Sequence, residues 1–564
     1  MPAANAAILY HPEGFDTSQP KLMGRQAAGE GFLQAFARHV DADTLFCCAA
    51  TAAHFTDFQN RLGPWLADRT TAWIPRGAIA RLAEPGCLMC PGPGLSEFAW
   101  GRRHLDQRAF SLCGITHTTA SAAAMDDIGQ LLVAPIQSWD ALICTSQCVR
   151  DTVRQVLGDW GDYLAERIGA RPRAGVQLPI IPLGVDCDRF AGTPETAAAR
   201  VDIRMRNGIA EDDVVVLFVG RLSYHAKANP LPLYLALEAA ATRSGKRLHL
   251  ILAGWFANEH IERAFVDGAQ ALCPSVNLIC LDGRDPNVRH FVWFAADLFA
   301  SLSDNIQETF GLTPVEAMAA GLPVVATDWN GYRDTVRDGI DGFMIPTRMP
   351  PPGFGEHYAF RHFLKTDSYD RYVGYTSQCV AVDVEATAAA ITRLATDPAL
   401  RRQQGAAGRE RARQIFDWRG VIAAYQDLWG ELALRRRRDA ETGSRVGDAP
   451  AHPLRADPFR IFASYPTESI RPDRLVVLAP GRSAADFPRL SALDLANLGR
   501  SLLAADADCH AILGHLGTHG ETPVRALLML FPAPDRRNIL RTVAWLAKLD
   551  LIRFAGPSAG DTTP

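Results

Sequence analysis

Asn305–Val325 reads NIQETFGLTPVEAMAAGLPVV, and the rest of the chain is best understood from it. Two glutamates, Glu308 and Glu316, stand eight positions apart across a glycine-containing turn and the start of a helix. Thr313-Pro314-Val315-Glu316 predicts that start, with Thr313 as N-cap, Pro314 as first helical residue and Glu316 closing a capping box. A helix start exposes backbone N–H groups, and with the positive end of the helix dipole these attract phosphate. Gly311 just upstream lets a ligand approach the backbone closely. The competing reading is that Glu316 only caps its own helix.

Apolar runs on either side set the context. Val214–Val219 predicts a buried strand running into Gly220-Arg221-Leu222, with Lys227 six residues past the arginine. Further strands are expected at His249–Ala253, Asn277–Cys280 and Leu322–Thr327. The first part of the chain repeats the rhythm: strands at Ala6–Tyr10, Thr44–Ala49, Leu112–Thr116 and Ala141–Cys144, a helix opened by Met23-Gly24-Arg25-Gln26, and another over Val149–Leu157 after an N-cap Ser146. Alternating strands and helices predict an α/β protein with two Rossmann-like doubly wound domains facing a cleft. His117, at the carboxyl end of its strand, would face that cleft. Ile180–Asp186 reads as the last strand and turn of the first half, and Gly192–Asp213 as a polar linker. Met349–Tyr375 interrupts the pattern as a long loop, functional or disordered.

The expected divisions are an N-terminal domain over 1–205, a second over 206–420, a crossover helix over 421–438, a linker over 439–457, and a small, mainly helical domain over 458–564. In the last, amphipathic segments at Glu521–Phe531 and Asp535–Leu549 precede an apolar strand at Leu551–Phe554 and resemble a winged-helix unit. Its basic and acidic residues balance, which favours a protein-interaction or packing role over nucleic-acid binding. Arg435–Arg438 reads either as a solvated helix end or as a patch for peripheral contact with an anionic membrane surface.

With 564 residues, 48% of them apolar and 21% charged, and a net charge of −4, the chain has the composition of a globular protein of roughly three domains. No apolar run approaches the roughly 18 residues needed to span a bilayer, and the N-terminus lacks a basic secretory region, so a cytoplasmic protein is expected. The 12 cysteines are scattered; Cys87-Leu-Met-Cys90 lacks the second pair that a zinc ribbon requires. The Asp-x-Asp triplets at Asp41, Asp186 and Asp506 fall in a helix-end loop, a domain-linking turn and the last domain, so no metal site is expected from them.

The chemistry implied is that of a diphosphate leaving group. Arg221 and Lys227 would supply charge-assisted hydrogen bonds to it. N–H groups at Phe310, Gly311 and Leu312 would hold oxygens or sugar hydroxyls, and the Glu316 carboxylate would accept from two vicinal ribose hydroxyls.

ETFGLTPVE followed by AMAAGLPVVATD resembles the E-x7-E signature of family-4 retaining glycosyltransferases with the GT-B fold. FVGRLS with Lys227, LILAG at Leu250–Gly254, IPLGVDCDRF, DGIDGFMIP and FDW before the last helix support the resemblance, which covers roughly residues 5 to 435. It implies a hexosyltransferase moving a sugar from a nucleotide-sugar donor to a glycan, lipid-linked or small-molecule acceptor by front-side transfer, without metal or cofactor. Arg221 and Lys227 would meet the diphosphate, Glu316 the ribose, and Glu308 with Phe310, Gly311 and Leu312 the transferred sugar. His117 would lie near the reacting carbon, and Gly24 in a turn facing the diphosphate. Acceptor contacts would come from N-domain loops within Thr56–Ser96. Lys227 departs from the family by standing six rather than five residues after Arg221, and Asp334 stands where many members carry Glu. The alternative is an inactive glycosyltransferase-like scaffold acting through its C-terminal domain.

Overall fold

A computed structural model describes residues 4–16, 24–66 and 68–555, with the side chain of Arg25 excepted. The chain falls into two compact units, 1–452 and 453–564.

The first unit holds two six-stranded sheets, every pairing parallel. In the first, β1 (Ala7–Tyr10), β2 (Thr44–Ala49), β3 (Thr70–Pro75), β4 (Cys87–Met89), β5 (Ser111–Ile115) and β6 (Ala141–Ile143) lie in the order β3-β2-β1-β4-β5-β6. In the second, β7 (Val214–Val219), β8 (Leu248–Gly254), β9 (Asn277–Asp282), β10 (Leu298–Ser301), β11 (Val324–Thr327) and β12 (Gly342–Ile345) lie in the order β12-β11-β10-β7-β8-β9. Both sheets therefore have one doubly wound order, with the direction of winding reversing between β1 and β4 and again between β7 and β10. These two Rossmann-like sheets are the GT-B architecture expected from the sequence.

Strands β3, β4, β10 and β12 escaped the sequence reading. Cys87–Met89 and Leu298–Ser301 are short and buried throughout, so they show no alternation. Gly342 reads as a turn residue but opens β12, because a Cβ there would come within 1.8 Å of the Val324 carbonyl oxygen. Two supposed loops are also structured. Within 192–213, Pro194–Arg206 is a helix capped by Thr193, and its buried Arg204 binds Asp297 at 3.1 Å and the carbonyls of Ala210 and Asp213 at 2.7 and 2.8 Å. Those partners explain why a polar stretch is not a solvated linker. Within 349–375, the helices Glu356–Phe363 and Tyr369–Ser377 follow a Pro-Pro-Pro-Gly lead that masks them. Ile180–Asp186 makes isolated bridges rather than a strand, from Ile180 to Cys144 and from Val185 to Asp417. Two short strands, β13 (Thr347–Arg348) and β14 (Ala381–Val382), pair antiparallel at either end of this helical insertion.

Trp418–Arg438 is a long helix laid against the first sheet's helices. Trp418 occupies the space that a Cβ on Gly184 would fill at 2.3 Å, Tyr425 packs on Phe32 and Trp429 on Phe36, and Gln426 donates to the Ala4 carbonyl at 3.0 Å. One apolar core thereby runs from Ile8 and Phe36 through Trp418 and Trp429 to Leu217 and Val324. The polar segment that follows is strapped to the same unit. Arg103 donates to the Ala451 carbonyl at 2.7 Å, and Gln137 exchanges hydrogen bonds with the backbone of Thr442 at 2.8 and 2.9 Å. Of Arg435–Arg438, Arg435 pairs with Glu431, Arg436 reaches the Gly86 carbonyl and Ser111, and Arg438 pairs with Asp439. Among the described residues no helix is long and apolar enough to cross a membrane.

The second unit packs the helices Asp506–His519, Val524–Met529 and Arg536–Lys548 with a small antiparallel sheet of β15 (Leu475–Leu478), β16 (Thr522–Pro523) and β17 (Ile552–Ala555), ordered β16-β15-β17. Ile512, Leu516, Leu527, Ile539, Val543 and Leu546 form its core.

Candidate active site

In an open parallel sheet, loops leaving the carboxyl ends of the two strands at the winding reversal diverge and leave a crevice. In the second sheet those strands are β7 and β10. The loop after β7 carries Arg221 and Lys227; the one after β10 carries Ser303–Gln307 and Glu308. The Lys227 ammonium donates to the Glu308 carboxylate, closing a pair across 81 positions of sequence. Glu308 retains only 11% of its side-chain exposure. Burial pushes its carboxyl up, but the Lys227 charge and hydrogen bond and the amides of Phe310 and Thr309 together hold it below the ordinary range.

Side chains after β10 also clasp the backbone of the lysine loop. Asn305 Nδ2 donates to the His225 carbonyl at 3.0 Å, Gln307 Nε2 to that of Ala226, and Ser303 Oγ to that of Lys227 at 3.5 Å. Arg221 donates to Ala226 O at 2.8 Å from within its own loop, and burial lowers its pKa. Asp304, beside the Asn229 amide, is 3% exposed and its Oδ1 has no partner among the described residues; burial raises its carboxyl to about 7. Sequence reasoning passed over Ser303, Asp304, Asn305 and Gln307. The available signal was a run of four polar residues in five directly after an apolar stretch, too dense for a strand end that only meets solvent.

The helix start differs from the sequence expectation. The helix is Leu312–Ala320, its N-cap is Gly311 at φ 95°, and no side chain caps it. Thr313 and Pro314 are thus already inside the helix and Glu316 closes no capping box. Gly311 is required because a Cβ there would lie 2.3 Å from the Tyr332 ring, whose hydroxyl bonds Ser301 Oγ at 2.8 Å. Phe310 is buried edge-on against Phe416 at 5.8 Å, and Leu312 is half-buried. Glu316 sits in the helix's second turn with burial raising its pKa, opposed by the charges of Arg189 and Arg289.

The first sheet meets this segment directly. His117 follows β5, and its carbonyl accepts a hydrogen bond from Thr309 Oγ1 at 3.2 Å. Ser146, confirmed as N-cap of the helix Gln147–Ile168, donates to the Thr309 carbonyl at 2.8 Å. The Gln147 amide in that helix's first turn donates to Asp334 at 2.5 Å. Thr309, between the two glutamate positions, is thereby held by both halves. Behind His117 lies a small apolar cavity of about 30 Å³ lined by Ile8, Phe15, Met89, Ile115, Trp418 and Tyr425.

Gly24 is the first residue of the helix Gly24–His39; it is exposed, and a Cβ there would meet nothing within 4 Å. Met23, the start of the expected turn, lies outside the described residues. Asp186 pairs with Arg38 at 2.8 Å and Asp188 with Arg419 at 2.5 Å, in a turn below the crossing helix. Cys87 and Cys90 are buried, and burial holds both thiols well above their ordinary range.

Arg221, Lys227 and Glu308 thus lie on the two loops that border one crevice of one sheet, and a known family matches that part of the chain. Residues 200–351 match the family model of the glycosyl transferases group 1. The group 1 span contains β7 to β12 with Arg221, Lys227, Glu308 and Glu316. The D-inositol 3-phosphate glycosyltransferase of Geodermatophilus obscurus is 35% identical over 196 residues, 34% of this chain and 41% of that protein. The putative glycosyltransferase EpsD of Bacillus subtilis is 29% identical over 217 residues, 38% and 51%. The chain spans about half or less of these curated relatives. Among solved structures, Anabaena HepE in complex with UDP superposes with a TM-score of 0.48 at 16% identity, covering 76% of this chain and 100% of that one.

Proposed function

We propose that the chain is a retaining glycosyltransferase that moves a sugar from a nucleotide-sugar donor to a glycan, lipid-linked or small-molecule acceptor. The observation that carries this reading is the meeting of Lys227 and Glu308 where the β7 and β10 loops leave the crevice, one carrying Arg221 and the other leading into the helix of Glu316, with His117 tied to the same segment through Thr309. In this reading Arg221 and Lys227 neutralise the donor diphosphate. Glu316, which caps nothing, takes the ribose hydroxyls. Glu308 and the backbone of Phe310, Gly311 and Leu312 hold the sugar, His117 stands by its reacting carbon, and Gly24 faces the diphosphate from the N-terminal half. The acceptor oxygen bonds the anomeric carbon on the face from which the diphosphate departs; the carbon–oxygen bond to phosphate breaks, and the acceptor proton passes to the leaving phosphate oxygen. No protein nucleophile or metal enters this scheme.

The same proposal places the enzyme in the cytoplasm, with the basic end of Trp418–Arg438 available for peripheral membrane contact and the 453–564 unit serving protein interaction or packing. The reading is tested by titrating UDP-, GDP- and ADP-sugars into the protein and into Glu316→Gln. Nucleotide affinity should fall at least ~10-fold in the variant, the loss of about 1.4 kcal/mol of carboxylate–hydroxyl bonding, with an unchanged melting temperature. A large loss of stability at unchanged affinity sinks the ribose assignment. Absence of binding to every nucleotide favours the inactive scaffold.

A further inference from the structure

The insertion between β13 and β14 has no part in the chemistry above, yet its second helix stands at the crevice. The two helices form a preset hairpin: Arg361 holds Asp367 through two bonds of 2.6 and 2.9 Å, and His362 stacks on Tyr372 with ring centroids 4.7 Å apart and planes 8° apart. Tyr369–Ser377 then lies on the lysine loop. A Cβ on Gly374 would come 3.1 Å from His225 Cβ and 3.3 Å from its carbonyl oxygen, so glycine is what allows this approach. That carbonyl is the one Asn305 clasps from the other side. The loop is thus held between the β10 segment and the insertion.

At the first turn of this helix, the hydroxyl of half-buried Tyr369 shares a hydrogen bond with the side chain of Thr118, the neighbour of His117. The charge of Arg221 acts on the same hydroxyl, and the charge of Asp370, the next residue, acts on both Arg221 and His225. Tyr369 therefore stands between the arginine of one sheet and the histidine turn of the other.

We propose that Tyr369 is a donor-binding residue, and that the helix Tyr369–Ser377 is the outer wall of the pocket for the transferred sugar. The proposal rests on the glycosyltransferase reading. A tyrosine suits the position because its ring covers the apolar face of a hexose while its hydroxyl bonds a sugar oxygen. A wall there also keeps water from the anomeric carbon.

The test is calorimetric titration of the full chain with UDP and UDP-glucose, or with the GDP-mannose or ADP-glucose pair if that pair binds the wild type more tightly. In Tyr369→Ala the Kd for the sugar nucleotide should rise by ~10-fold or more while that of the nucleoside diphosphate changes less than about twofold, because only the sugar end loses its wall. Tyr369→Phe, which keeps the ring and the fold, should show the same selectivity at about threefold. Gly374→Val, which displaces the helix without touching Tyr369, should reproduce the alanine result. Unchanged sugar-nucleotide affinity in Tyr369→Ala, or an equal loss for both ligands, overturns the assignment and leaves the enzyme reading standing. A wild type that binds no sugar nucleotide overturns both.

Discussion

Lys227 and Glu308 neutralise one another across the crevice, although the proposed function assigns one to the diphosphate and the other to the sugar. A donor diphosphate supplies Lys227 with a second anion, so ligand and carboxylate compete for one ammonium. Glu308→Gln should then cost the free protein about 1–3 kcal/mol, because a mostly buried lysine loses its counter-charge. Saturating nucleoside diphosphate should remove most of that difference. Urea denaturation of both proteins with and without UDP measures the coupling, and an undiminished difference with UDP bound means that the phosphates do not reach Lys227. Because Glu308 is held below its ordinary 4.5, its stabilisation is full above that pH and is lost as pH falls through the depressed value.

Asp304 behaves in the opposite sense. Its carboxyl is raised by burial to about 7 from 3.8, so between these values the folded protein binds a proton that the unfolded chain has released. Stability from this group therefore falls as pH rises from about 4 to 7, by an amount on the order of 4 kcal/mol at 1.36 kcal/mol per pH unit. Asp304→Asn removes the titration. Its stability relative to wild type should be greater at pH 8 than at pH 5, and thermal unfolding at the two pH values shows the sign; a pH-independent difference rules out a titrating Asp304.

The clasp on the lysine loop should act on ligand binding before it acts on folding. Asn305→Ala frees the His225 carbonyl, which water can satisfy at the edge of a crevice, and Gln307→Ala leaves the Ala226 carbonyl with its bond from Arg221 alone. Each should cost about 1 kcal/mol of stability or less, but ~5-fold or more in nucleotide affinity through the disordering of Lys227. Measuring melting temperature and Kd side by side separates the two. Loss of stability without loss of affinity makes the clasp purely structural.

The parts of the fold legible in the sequence are those where local chemistry and burial agree. Val214–Val219 is a strand at the residues expected, because a run of β-branched residues buried along its length has little alternative to a central parallel strand. Thr44–Ala49 is read as well. Gly342 and Cys87–Met89 were not, since their strand identity lies in neighbours that a local pattern does not show. The helix hidden in 192–213 was missed for the same reason, since Arg204 looks solvated until Asp297 arrives from elsewhere, and those in 349–375 were masked by the Pro-Pro-Pro-Gly lead. The helix start at Thr313 was plausible by capping chemistry. The Tyr332 ring, 21 residues on in sequence from Gly311, is what demands the left-handed glycine and moves the start to Leu312.

By itself the sequence determined the two-sheet α/β class and the spacing of Glu308 and Glu316 around a glycine, because strand periodicity and residue type are local properties. The tertiary structure decided which charges meet. Strands β7 and β10 become neighbours only when the sheet reverses its winding, and that adjacency, not the sequence interval, brings Lys227 to Glu308 and closes Asn305 and Gln307 on the lysine loop. Long-range pairing of this kind follows from packing the whole core, so no local stretch of the chain records it.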